Sequence, residues 1–104
     1  MSDGGVKYDS GKPLIFSGVV DYFPRALAMV AHVSEFGATK YAWKGWEKVE
    51  NGTVRYRDAL MRHLVESTIT EQDNDSSLPH LAHVAWNALT ILELHLREKT
   101  DAVA

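Results

Sequence analysis

The chain of 104 residues contains no cysteine. Disulfides, thiolate zinc sites and cysteine nucleophiles are therefore excluded. No apolar run approaches the roughly 20 residues of a membrane helix. The stretch Met1 to Gly11 is polar and lacks the apolar core of a signal peptide. The expectation is a cytoplasmic protein without a membrane partner. Basic residues are few, 11 Lys and Arg against 14 Asp and Glu, for a net charge of −3. Such a balance does not suit a protein that grips a nucleic-acid backbone, where affinity comes from Lys and Arg displacing counterions. Two phosphate-handling signatures are also missing. The segment DSGKP around Lys12 lacks the GxxxxGK frame of a P-loop. No His-Asp dipeptide occurs, so the chain does not carry the mark of an HD-type phosphohydrolase.

What is present is helical periodicity in one domain spanning residues 1–104. Residues 1–19 hold Gly, Lys and Asp and read as an extended arm. Pro24 suits the first turn of a helix. The apolar residues Leu27, Met29, Val30 and Val33 continue that helix to about Phe36, and Gly37 is suited to end it. A loop from Lys40 to Gly52 carries Tyr41, Trp43 and Trp46. Thr53 reads as the cap of a second helix, Val54 to about Thr70, with Ala59, Leu60, Leu64 and Ile69 turned inward. After the polar turn EQDNDSS, Ser77 and Pro79 open a third helix that runs to about Glu98. Its main stripe is Leu81, Val84, Ala85, Ala88, Leu89, Leu92 and Leu96, with Ile91 and Leu94 off that stripe. Nothing alternates with period two. The fold class is all-α, a small bundle of three main helices. Its third helix is apolar around so much of its girth that a homo-oligomer, dimer or tetramer, must complete the core.

The chemistry-bearing residues cluster by helical spacing. His80, His83 and Asn87 lie at i, i+3 and i+7 and share one face of the third helix. His63 and Glu66 are one turn apart on the second helix, beside Arg62. Thirteen residues separate Glu66 from His80. Two antiparallel helices joined by so short a connector bring HxxE and HxxH face to face, as in bundle metal sites. His32 and Glu35 repeat the spacing on the first helix. Asp73 and Asp75 in the connector are oxygen donors of the kind that Mg²⁺ and Mn²⁺ prefer, although a DNDSS segment also makes an ordinary solvated turn. Lys7, Lys12, Lys40, Arg55 and Arg62 are candidate phosphate contacts, and Tyr41, Trp43 and Trp46 offer faces to a base. The competing reading is a non-catalytic helical binding or assembly module whose histidines form a structural network.

Taken together, these segments resemble a known family. The matching residues are Asp9, Gly11, Lys12 and Pro13; then Phe36, Gly37, Ala38, Lys40 and Tyr41, followed by Trp46; then Arg62 and His63; and last Asp73, Asp75, Ser76, Leu78, Pro79, His80, Leu81, Ala82, His83 and Asn87. In that order they resemble the phage dATP/dGTP diphosphohydrolases of the MazZ type, and more distantly the MazG-like all-α pyrophosphatases. One departure is Ser77, where the pattern has glycine. The resemblance implies hydrolysis of dGTP or dATP to the monophosphate and pyrophosphate. In some phages the dGMP then feeds 2-aminoadenine nucleotide synthesis. It implies a divalent metal, Mg²⁺ first, with Mn²⁺, Co²⁺ or Zn²⁺ suited by the histidines. On this reading the metal ligands are His63, Asp75, His80, His83 and Glu35. The catalytic residues are His63, Glu66 and Asp75. Asp9, Lys12, Lys40, Tyr41, Trp46, Arg62 and Asn87 hold the purine deoxynucleoside triphosphate.

Overall fold

The computed structural model describes Tyr8 and residues 10–103, with side chains up to Thr100. Three helices dominate: α1 (Pro24–Lys40), α2 (Gly52–Glu66) and α3 (His80–Val103). Among the described residues there is no strand; a lone antiparallel bridge joins Gln72 to Pro79. The all-α reading holds. No described helix is long and apolar enough to cross a membrane.

The helix ends differ from expectation for local reasons. Residues 16–20 form a π-helical turn where an extended arm is expected, closed by the Asp21 N–H donating to the Phe16 carbonyl at 2.7 Å. Pro24 does open α1, but Gly37 lies inside it, and the helix ends only after the Tyr41 N–H reaches the Gly37 carbonyl. An interior glycine costs a helix only about 1 kcal/mol, so it need not stop one. α2 starts at Gly52, not after Thr53, because Asn51 takes the left-handed conformation (φ 59°) that turns the chain into the helix. Asn is among the few residues that adopt it readily. α2 ends at Glu66, four residues before the expected boundary.

The more telling correction concerns which faces turn inward. On α2 the inner stripe is Tyr56, Ala59, Leu60, His63 and Glu66; Leu64 and Ile69, expected inside, are exposed. On α3 the phase is likewise set by the polar stripe. His80, His83, Asn87 and Thr90 are buried, with Ile91 and Leu94 half-buried behind them, while Leu81, Leu89, Leu92 and Leu96 face solvent. Among the described residues, only Val33 and Ala82 are buried apolar residues, whereas five polar residues are buried. The interior of one chain is thus largely its polar site, and the apolar stripes lie outside. The shape agrees: the radius of gyration is 17.0 Å, against about 13 Å for a compact chain of this length.

α2 and α3 run antiparallel. His63, near the end of α2, meets His80 and His83 at the start of α3, while Glu47, just before α2, pairs with Arg97 far along α3. α1 packs on α3, tied by the Trp86 indole N–H donating to the Ser34 hydroxyl at 3.0 Å.

Candidate active site

The connector between α2 and α3 is held by its own hydrogen bonds. The Asp73 carboxylate accepts from the Ser76 N–H at 2.8 Å. The Ser77 N–H donates to the Asp73 carbonyl, and the Asp73 N–H to the Leu78 carbonyl, both at 2.8 Å. This closed turn fixes Asp73 toward the helices. Ser77 takes φ 62°, so the departure from glycine falls on a residue whose backbone favours glycine.

His63, Glu66, Asp73 and His80 each offer a donor atom, and these atoms lie within 4.8 Å of one another. The Nδ1 atoms of His63 and His80 face each other at 2.9 Å. His80 is paired on its other nitrogen with the Thr70 hydroxyl at 3.2 Å, and its Nδ1 lies 3.6 Å from Glu66. A hydrogen bond from the far nitrogen is the usual way a protein orients a metal-ligating imidazole. His83 stacks on His63 (4.4 Å between centroids, 12° between planes). Its Nε2 is hydrogen-bonded with the Ser76 hydroxyl at 2.7 Å and lies 3.8 Å from Asp73. The edge of Phe36 closes over the ring from α1.

Charge in the cluster favours a cation. Burial holds the His63 imidazole below its ordinary range, with Arg62 adding to the effect. Burial, and then the neighbouring His63, does the same to His83. Burial opposes the Asp73 carboxylate's charge, but the hydrogen bonds from Ser76 outweigh it and leave its pKa below the usual value. Neutral imidazoles beside ionised carboxylates are the protonation states that bind metals. Two imidazole nitrogens and two carboxylates converging on one point fit a divalent ion, and the residues present therefore suit the group the sequence implies.

Three of the four, His63, Glu66 and Asp73, line a pocket of about 830 Å³, within the range of small-ligand sites; His80 does not. His83, Asn87, Lys40, Arg55 and Arg62 line it too, as do Tyr41, Trp43, Trp46, Tyr56 and Trp86. Trp46 is held by Tyr56, which sets an aromatic end of the pocket apart from the histidine end. α2 contributes along the whole length: Tyr56 and His63 are seven residues apart, roughly 10 Å along a helix axis.

The other sequence candidates fall as follows. Asp75 lines the pocket but stands outside the group of four, paired with Lys40 at 2.5 Å. That contact raises the lysine's pKa, and the same ammonium lies 4.7 Å over the Phe36 ring. Glu35 pairs with His32 on the exposed side of α1 at 2.8 Å and is not in the cluster. Lys12 is exposed and does not line the pocket. Asp9 and Lys7 lie outside the described residues. Asn87, 4 % exposed, donates from Nδ2 to the His83 carbonyl and turns toward the pocket.

Several residues here were not singled out from sequence. Asp73 and Asp75 share one polar turn, and their spacing gives no sign of which one turns inward. Ser76 and Thr70 hold histidines, which a Ser or Thr in a polar turn does not announce. Tyr56 and Trp86, in edge-to-face contact at 5.8 Å, read from sequence as ordinary helix residues.

No curated protein and no solved structure matches the chain. A family model does: the N-terminal domain of the dATP/dGTP diphosphohydrolases matches residues 2–102. With nearly its whole length covered, the chain belongs to the dATP/dGTP diphosphohydrolase family and is a nucleoside triphosphate diphosphohydrolase.

Proposed function

We propose that the chain hydrolyses dGTP, dATP or both to the monophosphate and pyrophosphate, with a divalent ion held by His63, Glu66, Asp73 and His80. The observation that carries this is the convergence of those four donors, three of which line a pocket that also carries aromatic side chains. When bound, such an ion supplies positive charge to the phosphates and acidifies a water. The chain's own residues do the rest. Lys40, Arg55 and Arg62 border the triphosphate, giving fixed positive charge where charge grows on the leaving pyrophosphate. Asp75, which lines the pocket beside Lys40, takes the proton of the attacking water. His83 braces His63 by stacking, and its own contact to Ser76 holds it there. Asn87 turns toward the sugar, and Trp46 and Tyr41 stack on the purine. Imidazole ligands move metal preference from Mg²⁺ toward Mn²⁺, Co²⁺ or Zn²⁺.

The working form is a homo-oligomer. Leu89, Leu92 and Leu96 are each half exposed on α3, and Met61 and Val65 more so on α2. A second copy is the partner that covers them, and a monodisperse monomer at micromolar concentration would overturn this part. The setting is the cytoplasm, that of the host if a phage encodes the chain. There the dGMP would supply 2-aminoadenine nucleotide synthesis.

The direct test incubates the protein with each deoxynucleoside triphosphate and Mg²⁺, Mn²⁺, Co²⁺ or Zn²⁺ and separates the products by chromatography. Monophosphate and pyrophosphate from dGTP or dATP are expected. Orthophosphate with a nucleoside diphosphate as first product would overturn attack at the α-phosphorus.

A further inference from the structure

Tyr41, Trp43 and Trp46, which line the pocket, sit on the loop between α1 and α2, which has little regular structure of its own beyond the 3₁₀ turn Gly45–Lys48. Two contacts from outside the loop hold it. The Tyr56 hydroxyl, from the first turns of α2, donates to the Trp46 carbonyl at 2.7 Å. Burial keeps that phenol protonated by raising its pKa. The second contact comes from α3. The Arg97 guanidinium lies 5.2 Å over the Trp46 ring, and one of its NH groups donates to the Glu47 carboxylate in the same turn. Its Nε donates to Glu93 at 2.7 Å, one helical turn back. Glu93 thus fixes the fork, and the fork fixes both the ring and its neighbour. The turn has little slack beneath it, since a Cβ at Gly45 would stand 3.1 Å from that of Tyr41.

Arg97 does not line the pocket, whereas Trp46 does. We infer that Arg97 is a positioning residue for the nucleotide base: it holds the Trp46 ring at the pocket wall from the side away from the substrate. This rests on the reading of the aromatic end as the purine subsite. The chemical logic is that of a stacking platform. A base gains from an aromatic face only if that face is already in place, because a ring that must be ordered on binding returns part of the gain as lost freedom. A guanidinium over an indole face attracts the ring and holds it in place, and the ion pair with Glu47 adds direction. Arg97 stands far from the histidines, so its loss should weaken substrate binding and leave the chemical step alone.

The test uses Arg97→Met, which keeps the aliphatic stem, and Arg97→Lys, which restores the charge without the planar fork. The protein is labelled with 5-fluorotryptophan, and the Trp46 resonance is assigned with Trp46→Phe. Without nucleotide, Arg97→Met should shift or broaden the Trp46 line and leave the Trp86 line in place. KM for whichever of dGTP and dATP is turned over should rise about twofold to fivefold, with kcat unchanged, and Arg97→Lys should recover part of the change. An unmoved Trp46 line overturns the inference, and so does a moved line with unchanged KM or a fall in kcat at constant KM. Should the wild type turn over neither nucleotide, the proposed reaction falls, and the unliganded fluorine spectrum still decides whether Arg97 holds Trp46.

Discussion

At the histidine end of the pocket, every functional side chain springs from a helix or from a connector tied by its own hydrogen bonds. At the aromatic end Tyr41, Trp43 and Trp46 hang from a loop. His63, His80, His83 and Asn87 are all at least nine-tenths buried, while Tyr41 is 80 % and Trp43 68 % exposed. Chemistry needs donors held to fractions of an ångström before the substrate arrives, and helices facing across a bundle hold them so. A purine face needs only a flat partner, and a loop with one or two anchors provides it. The two ends should therefore fail differently when damaged, one in turnover and the other in affinity.

His63→Ala is expected to have the largest effect. The imidazole is at once a member of the four-donor group, the partner of His80 and the stacking face of His83. Turnover should fall by roughly a thousandfold or more, because metal activation moves the pKa of water by several units. His83→Ala removes a brace and not a member of the group, so its loss should be about 10–100-fold, the usual scale for outer-shell partners. Turnover, bound metal and thermal unfolding measured on the same samples check both. Equal losses with metal still bound in each would erase the distinction between ligand and brace.

At the other end, Trp46→Ala should raise KM about 5–150-fold, as expected for 1–3 kcal/mol of base stacking, with kcat little changed. A fall in kcat comparable to that of His83→Ala would mean that the two ends are one unit.

This contrast also separates what the sequence disclosed from what it did not. HxxE and HxxH on two helices joined by a short connector told that His63 and His80 meet, because helical periodicity and antiparallel packing leave few alternatives. The same periodicity misassigned the core. Leu81, Leu89, Leu92 and Leu96 make the stronger apolar stripe, yet α3 turns His83, Asn87 and Thr90 inward. A hydrophobic stripe says which face seeks cover, not whether the cover is the same chain. Spacing does not distinguish Asp73 from Asp75, since the choice between them is made by the hydrogen bond from the Ser76 N–H to the Asp73 carboxylate. The Arg97 contact to Glu47 joins residues 50 apart, beyond any local pattern.

The two ends also differ in how they titrate. His63 and His83 both have pKa values held below the ordinary 6.5, chiefly by burial. A group whose folded pKa is depressed contributes stability in full above its unfolded pKa. The contribution is lost as pH falls from there through the folded value, since the unfolded chain takes up protons first. The metal-free protein should thus lose stability between about pH 7 and pH 5. Urea midpoints in chelator at several pH values check this, and a flat profile across that window would mean the imidazoles are not buried neutral. Trp46→Phe should leave the profile unchanged, because an indole carries no titratable group.

The smallest expected effect lies in the connector that aims Asp73, and it has the opposite sign. Ser77 adopts φ 62° and its side chain is exposed. Its backbone N–H, which donates to the Asp73 carbonyl, is kept by any residue but proline. The left-handed conformation costs a residue with a Cβ about 1–2 kcal/mol. Glycine avoids that cost but gives back about 0.5–1 kcal/mol through its freer unfolded chain. Ser77→Gly should therefore stabilise by about 0.5–1 kcal/mol, a rise in Tm of a few degrees for a domain of this size. Ser77→Asn should gain less, because Asn tolerates the conformation only in part, and Ser77→Ala should gain nothing. Turnover should not change, since the carbonyl and N–H groups that hold Asp73 stay in place. Thermal unfolding of the three variants gives the ranking. A gain from Ala equal to that from Gly would trace the effect to loss of the hydroxyl and not to the backbone. A loss of turnover in Ser77→Gly would mean that the stiffness of residue 77 itself holds Asp73 on the histidines.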